Sequence, residues 1–105
     1  MNVCPILLGL ALTGCASSSS ERIMDQIEQK VRMPSGANAL NRYKRYYYRD
    51  NGAVVGTYVL SSKPGREWRT KDKIIMVLDG GCGVVNVVFS IKDSRVTYAA
   101  CNGVA

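Results

Sequence analysis

The pair Asn51-Gly52 restricts the fold of this chain more than any other feature of its sequence. It separates two segments rich in β-branched and aromatic residues, 42–50 and 53–60. An Asn-Gly pair in that setting is typical of a two-residue type I′ turn between antiparallel strands. A loop of that length also fixes the register of the two strands. The expected facing pairs are Asp50–Ala53, Tyr48–Val55, Tyr47–Gly56, Tyr46–Thr57 and Arg45–Tyr58.

A short amphipathic helix is predicted before this hairpin, over residues 21–32. Its apolar residues recur every fourth position along one side: Ile23, Ile27 and Val31. Ser18 followed by Glu21 fits a capping box, and Ser20 is an alternative cap. Pro34 ends the helix, because the residue before a proline is pushed out of the α region. A helix this short needs a partner surface to be stable.

The rest of the chain reads as further short strands. Residues 61–73 form a polar loop with a Pro-Gly turn, and apolar runs predict strands at 74–78, 84–91 and 95–101. With 105 residues the chain has room for one domain. We therefore predict an α+β fold over residues 21–105, with one N-terminal helix packed on an antiparallel sheet of about four to five short strands.

The N-terminal residues carry a motif of a different kind. An apolar run over residues 6–12 is followed by Leu12-Thr13-Gly14-Cys15. This order resembles the lipobox of bacterial lipoproteins. The resemblance implies a signal peptide over residues 1–14, cleavage between Gly14 and Cys15, and lipidation of Cys15. The alternative is a cytosolic chain whose first strand or helix happens to be apolar.

The chemistry of the lipobox accounts for its residue types. The Cys15 thiol is a good nucleophile and can take a diacylglyceryl group as a thioether, after which its freed amine is acylated. Three acyl chains exceed what stable membrane anchoring requires. Residues 15–20, rich in serine, then serve as a flexible tether. Ala16 in place of aspartate favours the outer membrane, with the domain facing the periplasm.

The four cysteines have different predicted fates under this interpretation. Cys4 leaves with the signal peptide and Cys15 carries lipid, so Cys82 and Cys101 remain as a pair in an exported domain. They lie near the two ends of a predicted hairpin, which brings them within reach of a disulfide. A redox or catalytic thiol is the alternative, but no Cys-x-x-Cys motif and no histidine accompany either cysteine.

Signals for catalysis are weak. The chain has no histidine, and no glycine-rich phosphate loop, nucleophile elbow or cluster of metal ligands is recognisable. Asp79 stands in a glycine-rich segment, but an Asp-Gly-Gly turn explains it. The residues Asp79-Gly80-Gly81-Cys82, with Cys101-Asn102-Gly103, resemble a pattern in small uncharacterised lipoproteins of alphaproteobacteria, which implies no activity. We expect no catalytic residues, no metal and no cofactor.

The positive charge of the chain is concentrated in one segment. Residues 42–73 carry nine basic and three acidic side chains and so account for the whole formal net charge of +6. The first interpretation is a surface that binds an anionic envelope component or an acidic protein; nucleic acid is not expected in the periplasm. The second is a strand whose tyrosines pack under the helix while its cations face water. The candidate anion-binding residues are Arg42, Lys44, Arg45, Arg49, Arg66 and Arg69.

The sequence therefore predicts the cellular location of the protein more specifically than its activity. The function it favours is a non-catalytic, membrane-anchored envelope lipoprotein that acts as a binding or assembly-accessory module. The alternative is a periplasmic inhibitor or immunity-type lipoprotein that blocks an enzyme. The two differ in partner, and the sequence leaves the partner and the oligomeric state open.

Overall fold

A computed structural model describes residues 18–74 and 79–103 of the chain. Within them an α-helix precedes five strands, and three single turns of 3₁₀ helix connect the elements at Leu40–Arg42, Lys71–Lys73 and Gly81–Gly83. The helix and strands are α1 (Ser19–Lys30), β1 (Tyr43–Asp50), β2 (Ala53–Leu60), β3 (Gly65–Trp68), β4 (Val84–Ser90) and β5 (Arg95–Cys101).

The five strands form one sheet in the order β3-β1-β2-β4-β5. Three of the four strand pairs are antiparallel, and β3 runs parallel to β1. The helix packs on one face of this sheet through Met24 and Ile27, which are buried against the strands. The predicted α+β class is thus confirmed, with the difference that the sheet is mixed rather than wholly antiparallel.

The hairpin has the predicted register at every facing pair, from Asp50–Ala53 to Arg45–Tyr58. Asn51 takes the positive φ that a tight turn requires, 54°. Gly52 does not lie in the positive-φ region, so the turn departs from an ideal type I′ turn. The register is correct all the same, because the length of the loop and the burial of one face determine it.

The helix begins at the predicted cap. The hydroxyl of Ser18 accepts a hydrogen bond from the backbone N–H of Glu21 at 3.1 Å. The helix ends at Lys30, two residues before the predicted end, because Val31 is already extended (φ −69°, ψ 137°). Pro34 therefore follows the end of the helix rather than causing it directly.

The strand β3 lies where the sequence predicts a loop. Gly-Arg-Glu-Trp at 65–68 has no alternation of apolar and polar residues, yet it pairs with β1 from Lys44–Gly65 to Tyr47–Trp68. The N–H of Arg69 extends this pairing by donating to the carbonyl of Tyr47 at 2.7 Å. Except for Ile74, the strand predicted at 74–78 lies outside the described residues. So do the signal peptide and the lipidation site Cys15.

The core lies between α1 and the sheet. Its largest fully buried side chains are Tyr43, Tyr47, Tyr58, Phe89, Ile27, Val54, Val85 and Val87. Tyr47 lies across from Gly56, where an added Cβ would stand 3.0 Å from a ring carbon of that tyrosine. Two tyrosines of the basic segment, Tyr43 and Tyr47, thus pack under the helix, as the second interpretation of that segment predicts.

The predicted disulfide is present between Cys82 and Cys101, whose Cα atoms are 4.5 Å apart. It joins the turn before β4 to the end of β5, so the two ends of this strand pair are covalently linked. The hydroxyl of Tyr43 donates to the carbonyl of Cys82 at 2.7 Å, which ties the same corner to β1. No helix among the described residues is long and apolar enough to cross a membrane.

Candidate functional site

The carboxylate of Glu28, at the junction of α1 with the sheet, accepts three side-chain hydrogen bonds. Its Oε2 accepts from the hydroxyl of Tyr47 at 2.7 Å and from Nε of Arg45 at 2.9 Å. Its Oε1 accepts from Nη1 of Arg66 at 3.3 Å. The hydroxyls of Tyr47 and Tyr58 are 2.8 Å apart and hydrogen-bonded. We call these five residues the tyrosine–arginine network.

Arg66 connects the network to the first turns of the helix. Its Nη2 lies 2.8 Å from both Glu21 Oε1 and Asp25 Oδ1. Glu21, Asp25 and Glu28 are spaced four and three residues apart, which places them on one side of the helix. These interactions raise the pKa of Arg66 above its ordinary value despite partial desolvation. One guanidinium from β3 is therefore held by three carboxylates of α1.

The two tyrosines of the network are kept neutral. Burial is the main cause that raises the pKa of Tyr47, and its neighbours Tyr58 and Glu28 raise it further. Burial also raises the pKa of Tyr58 well above the ordinary value of 10. A phenol that stays protonated in this way does not act as a general base and keeps its O–H available as a hydrogen-bond donor. The network is therefore suited to fix the helix on the sheet.

The structure divides the six predicted anion-binding residues among three places. Arg45 and Arg66 belong to the network. Lys44 and Arg69 lie on the opposite face of the sheet, both within ion-pair distance of Glu67, at 3.7 and 3.0 Å. The Arg69 guanidinium also stacks over the ring of Tyr46, 4.7 Å from its centre. Four of the six cations therefore already have carboxylate partners within the chain.

Arg42 and Arg49 are the two predicted residues that are exposed and carry no ion pair within the described part of the chain. They lie at opposite ends of β1. Seven residues of extended strand separate them by roughly 23 Å, so a single small anion does not reach both. The structure does not bring the six residues together as one surface.

Three other cations lie close together, at positions where the sequence pattern indicates no site. Lys30, Arg32 and Arg95 line one cavity of about 360 Å³ beside β5. This cluster cannot be recognised from the sequence, because the residues outside the segment 42–73 have no net charge. In the fold, however, Glu21, Asp25 and Glu28 pair with Arg45 and Arg66 of that segment. The acids that balance these three cations in the sequence are therefore used elsewhere.

Asp79 lies just before the 3₁₀ turn at Gly81–Gly83. Its backbone carbonyl accepts a hydrogen bond from the side-chain amide of Asn102 at 3.1 Å. Gly80 and Gly81 follow with positive φ values of 121° and 53°, which side-chain-bearing residues adopt rarely. Across residues 18–74 and 79–103, no group of three or more potential metal ligands is found.

The chain was also compared with known proteins. Neither the protein-family models, nor the curated proteins, nor the solved structures contain a match to it.

Proposed function

We propose that this chain is a non-catalytic, lipid-anchored protein of the bacterial cell envelope whose α+β domain binds a partner or assists an assembly. The observation that carries the proposal is the motif Leu12-Thr13-Gly14-Cys15 behind an apolar run. The disulfide Cys82–Cys101 supports it, because disulfides persist in oxidising compartments such as the periplasm and are rare in the cytosol.

The use of carboxylates in the domain supports a binding role over acid–base chemistry. Five of the eight acidic residues form ion pairs with arginine or lysine: Glu21, Asp25, Glu28, Asp50 and Glu67. These five carboxylates are engaged in contacts within the domain and so serve its structure. Among the described residues, Lys30, Arg32 and Arg95 have no carboxylate partner, which suits recognition of an acidic group.

Acyl labelling tests the anchor directly. Cells producing the chain are grown with an alkyne-tagged palmitate, and the protein is examined for label and for mobility on a gel. The wild-type chain should be labelled and shortened, whereas Cys15→Ser should carry no label and remain uncleaved. The matched control is Cys4→Ser, which lies in the signal peptide and should be labelled like the wild type. Label retained in Cys15→Ser contradicts the proposal.

Cross-linking in intact cells, followed by recovery of the chain, then separates the two kinds of partner. An assembly-accessory module should be recovered with an endogenous complex of the envelope. A recovered hydrolase that the purified chain also inhibits would instead favour the alternative, an inhibitor or immunity-type lipoprotein.

A further inference from the structure

The cavity beside β5 brings three cations together on one part of the surface. Three of its lining residues are cationic: Lys30, Arg32 and Arg95. The other lining residues are the four at 96–99, none of which has a carboxylate. The cavity thus lies between the end of α1 and the first half of β5, with cations contributed from both sides.

None of these cations has a carboxylate partner among the described residues. Arg32 and Arg95 are exposed. Nζ of Lys30 donates to the backbone carbonyl of Ser94 at 2.6 Å, which positions the ammonium group without neutralising it. Asp93, the acid nearest in sequence to Arg95, accepts a hydrogen bond from the hydroxyl of Ser90. Positive charge of this kind attracts a carboxylate or another anion.

The strand that lines the cavity is also the outer strand of the sheet. The N–H of Asn102 donates to the carbonyl of Val84 at 2.8 Å. This bond identifies which alternate residues of β5 are hydrogen-bonded to β4. In an antiparallel pair, alternate residues direct their backbone groups to the partner strand. Tyr98 and Ala100 therefore direct their backbone N–H and C=O groups toward β4. Ala99 and Cys101 direct theirs away from it. An outer strand with such groups is a template for a further strand.

A β-bulge interrupts this edge, which has no partner strand among the described residues. The register of β4 with β5 shifts between Val88 and Phe89, so that Thr97 is the extra residue on β5. Uninterrupted pairing covers residues 98–101, and beyond the bulge Val96 and the cation Arg95 pair with Phe89 and Ser90. Tyr98 is 54 % exposed and offers an aromatic surface next to this edge. The geometry fits a short extended segment that ends in carboxylates.

We propose that β5 and the cavity form a docking site for an extended acidic segment of a partner protein. The segment pairs with β5 at residues 98–101, and its carboxylates interact with Lys30, Arg32 and Arg95. This inference rests on the binding role proposed above and names the chemistry of the partner. It does not depend on the lipid anchor at Cys15.

The test measures binding of the full chain to fluorescein-labelled peptides by anisotropy. The probe is a capped peptide of alternating valine and glutamate, and its matched control alternates valine and glutamine. We expect the glutamate peptide alone to bind, and its binding to weaken as salt is raised. A third peptide, N-methylated at every residue of the glutamate sequence, has no backbone N–H to donate to a strand edge and should not bind.

Two triple variants separate the site from the net charge. Lys30→Gln/Arg32→Gln/Arg95→Gln should weaken binding of the glutamate peptide by at least about ten-fold, since it removes three charge-assisted contacts. The control Arg42→Gln/Arg49→Gln/Lys63→Gln removes the same amount of charge from exposed positions outside the cavity. It should retain the affinity of the wild type within about two-fold. Circular dichroism checks that both variants are folded.

Several outcomes overturn the docking site. Equal losses in the two variants would mean that only net charge matters, and equal binding of the N-methylated peptide would exclude strand addition. Binding to phosphatidylglycerol vesicles but not to the peptide would indicate a membrane surface instead. A chain that is acylated at Cys15 yet does not bind the peptide would refute this site and leave the anchor intact. A chain that binds the peptide without being acylated would refute only the anchor.

Discussion

The pair Tyr47–Gly56 shows how one residue choice determines the packing around it. Tyr47 is held by hydrogen bonds to Glu28 and Tyr58, so its ring has little freedom to move. That ring and the ring of Tyr58 meet edge to face, with their centres 5.7 Å apart. Both rings lie within 3.1 Å of where a Cβ of Gly56 would be. The glycine is required by space and not by backbone conformation.

Gly56→Ala should therefore destabilise the domain by about 1–3 kcal/mol, the usual cost of overpacking a core whose neighbours cannot yield. The matched control is Gly65→Ala, where the nearest atom to the added methyl group is Lys44 Nζ at 3.8 Å. That change should leave stability within about 0.5 kcal/mol of the wild type. Urea denaturation measures both. A stable Gly56→Ala variant would show that the two rings move aside freely.

The helix and the sheet are joined by complementary charges as well as by the apolar core. Three acids on one side of α1 face two arginines that come from different strands, Arg45 on β1 and Arg66 on β3. Arg66 lies on the four-residue edge strand, so its ion pairs hold that strand against the helix. The tyrosine–arginine network thus connects α1, β1, β2 and β3 at a single place.

The network predicts a loss of stability in alkaline solution. The pKa of Tyr47 and of Tyr58 is raised in the folded state above the ordinary 10, so the unfolded chain releases these protons first. Their contribution is complete below pH 10 and is lost as the pH rises above it. At pH 11, about one unit above the ordinary pKa, the expected loss is on the order of 1 kcal/mol for each tyrosine. Urea denaturation between pH 8 and pH 11 should show this slope in the wild type.

The double variant Tyr47→Phe/Tyr58→Phe serves as the control for this pH dependence. It cannot release these protons, so it should show a much shallower slope above pH 10, while changes at other residues affect both proteins alike. A slope that is the same in the two proteins would mean that the buried phenols do not cause the alkaline loss.

Whether the sequence predicts an element depends on how close in the chain the residues that stabilise it are. The cap at Ser18 and the register at Asn51 are set by neighbours in the chain, and both predictions are confirmed. The strand β3 is missed because it has no apolar pattern and owes its place to pairing with β1 and to Arg66. The sequence does not predict the cavity beside β5, because tertiary ion pairs determine which cations have no carboxylate partner. The acids of the helix pair with arginines that are distant in the sequence.

At the scale of the whole molecule, the fold brings basic residues of the segment 42–73 into contact with acids from elsewhere in the chain. Arginines of that segment neutralise the acids of the helix, so the cations left without a carboxylate partner include Lys30, Arg32 and Arg95 at the far side of the sheet. The net charge of +6 is a property of the whole chain. The position of the basic residues in the sequence does not show which cations lack a carboxylate partner on the surface. The cavity and the outer strand lie together at the edge that the disulfide stabilises.

The disulfide should matter for the stability of the whole domain. Cys82 and Cys101 are 19 residues apart, and closing a loop of that size stabilises a protein by about 3 kcal/mol in the chain-entropy model. For a domain this small, that is a large part of the total free energy of unfolding. Cys82→Ala/Cys101→Ala should therefore lower the urea midpoint strongly, and dithiothreitol should do the same to the wild type. Dithiothreitol should not affect the double variant, which is the control for the reagent. A wild-type midpoint that is unchanged by reduction would mean that the β4–β5 pair and the Tyr43–Cys82 hydrogen bond hold this corner without the covalent link.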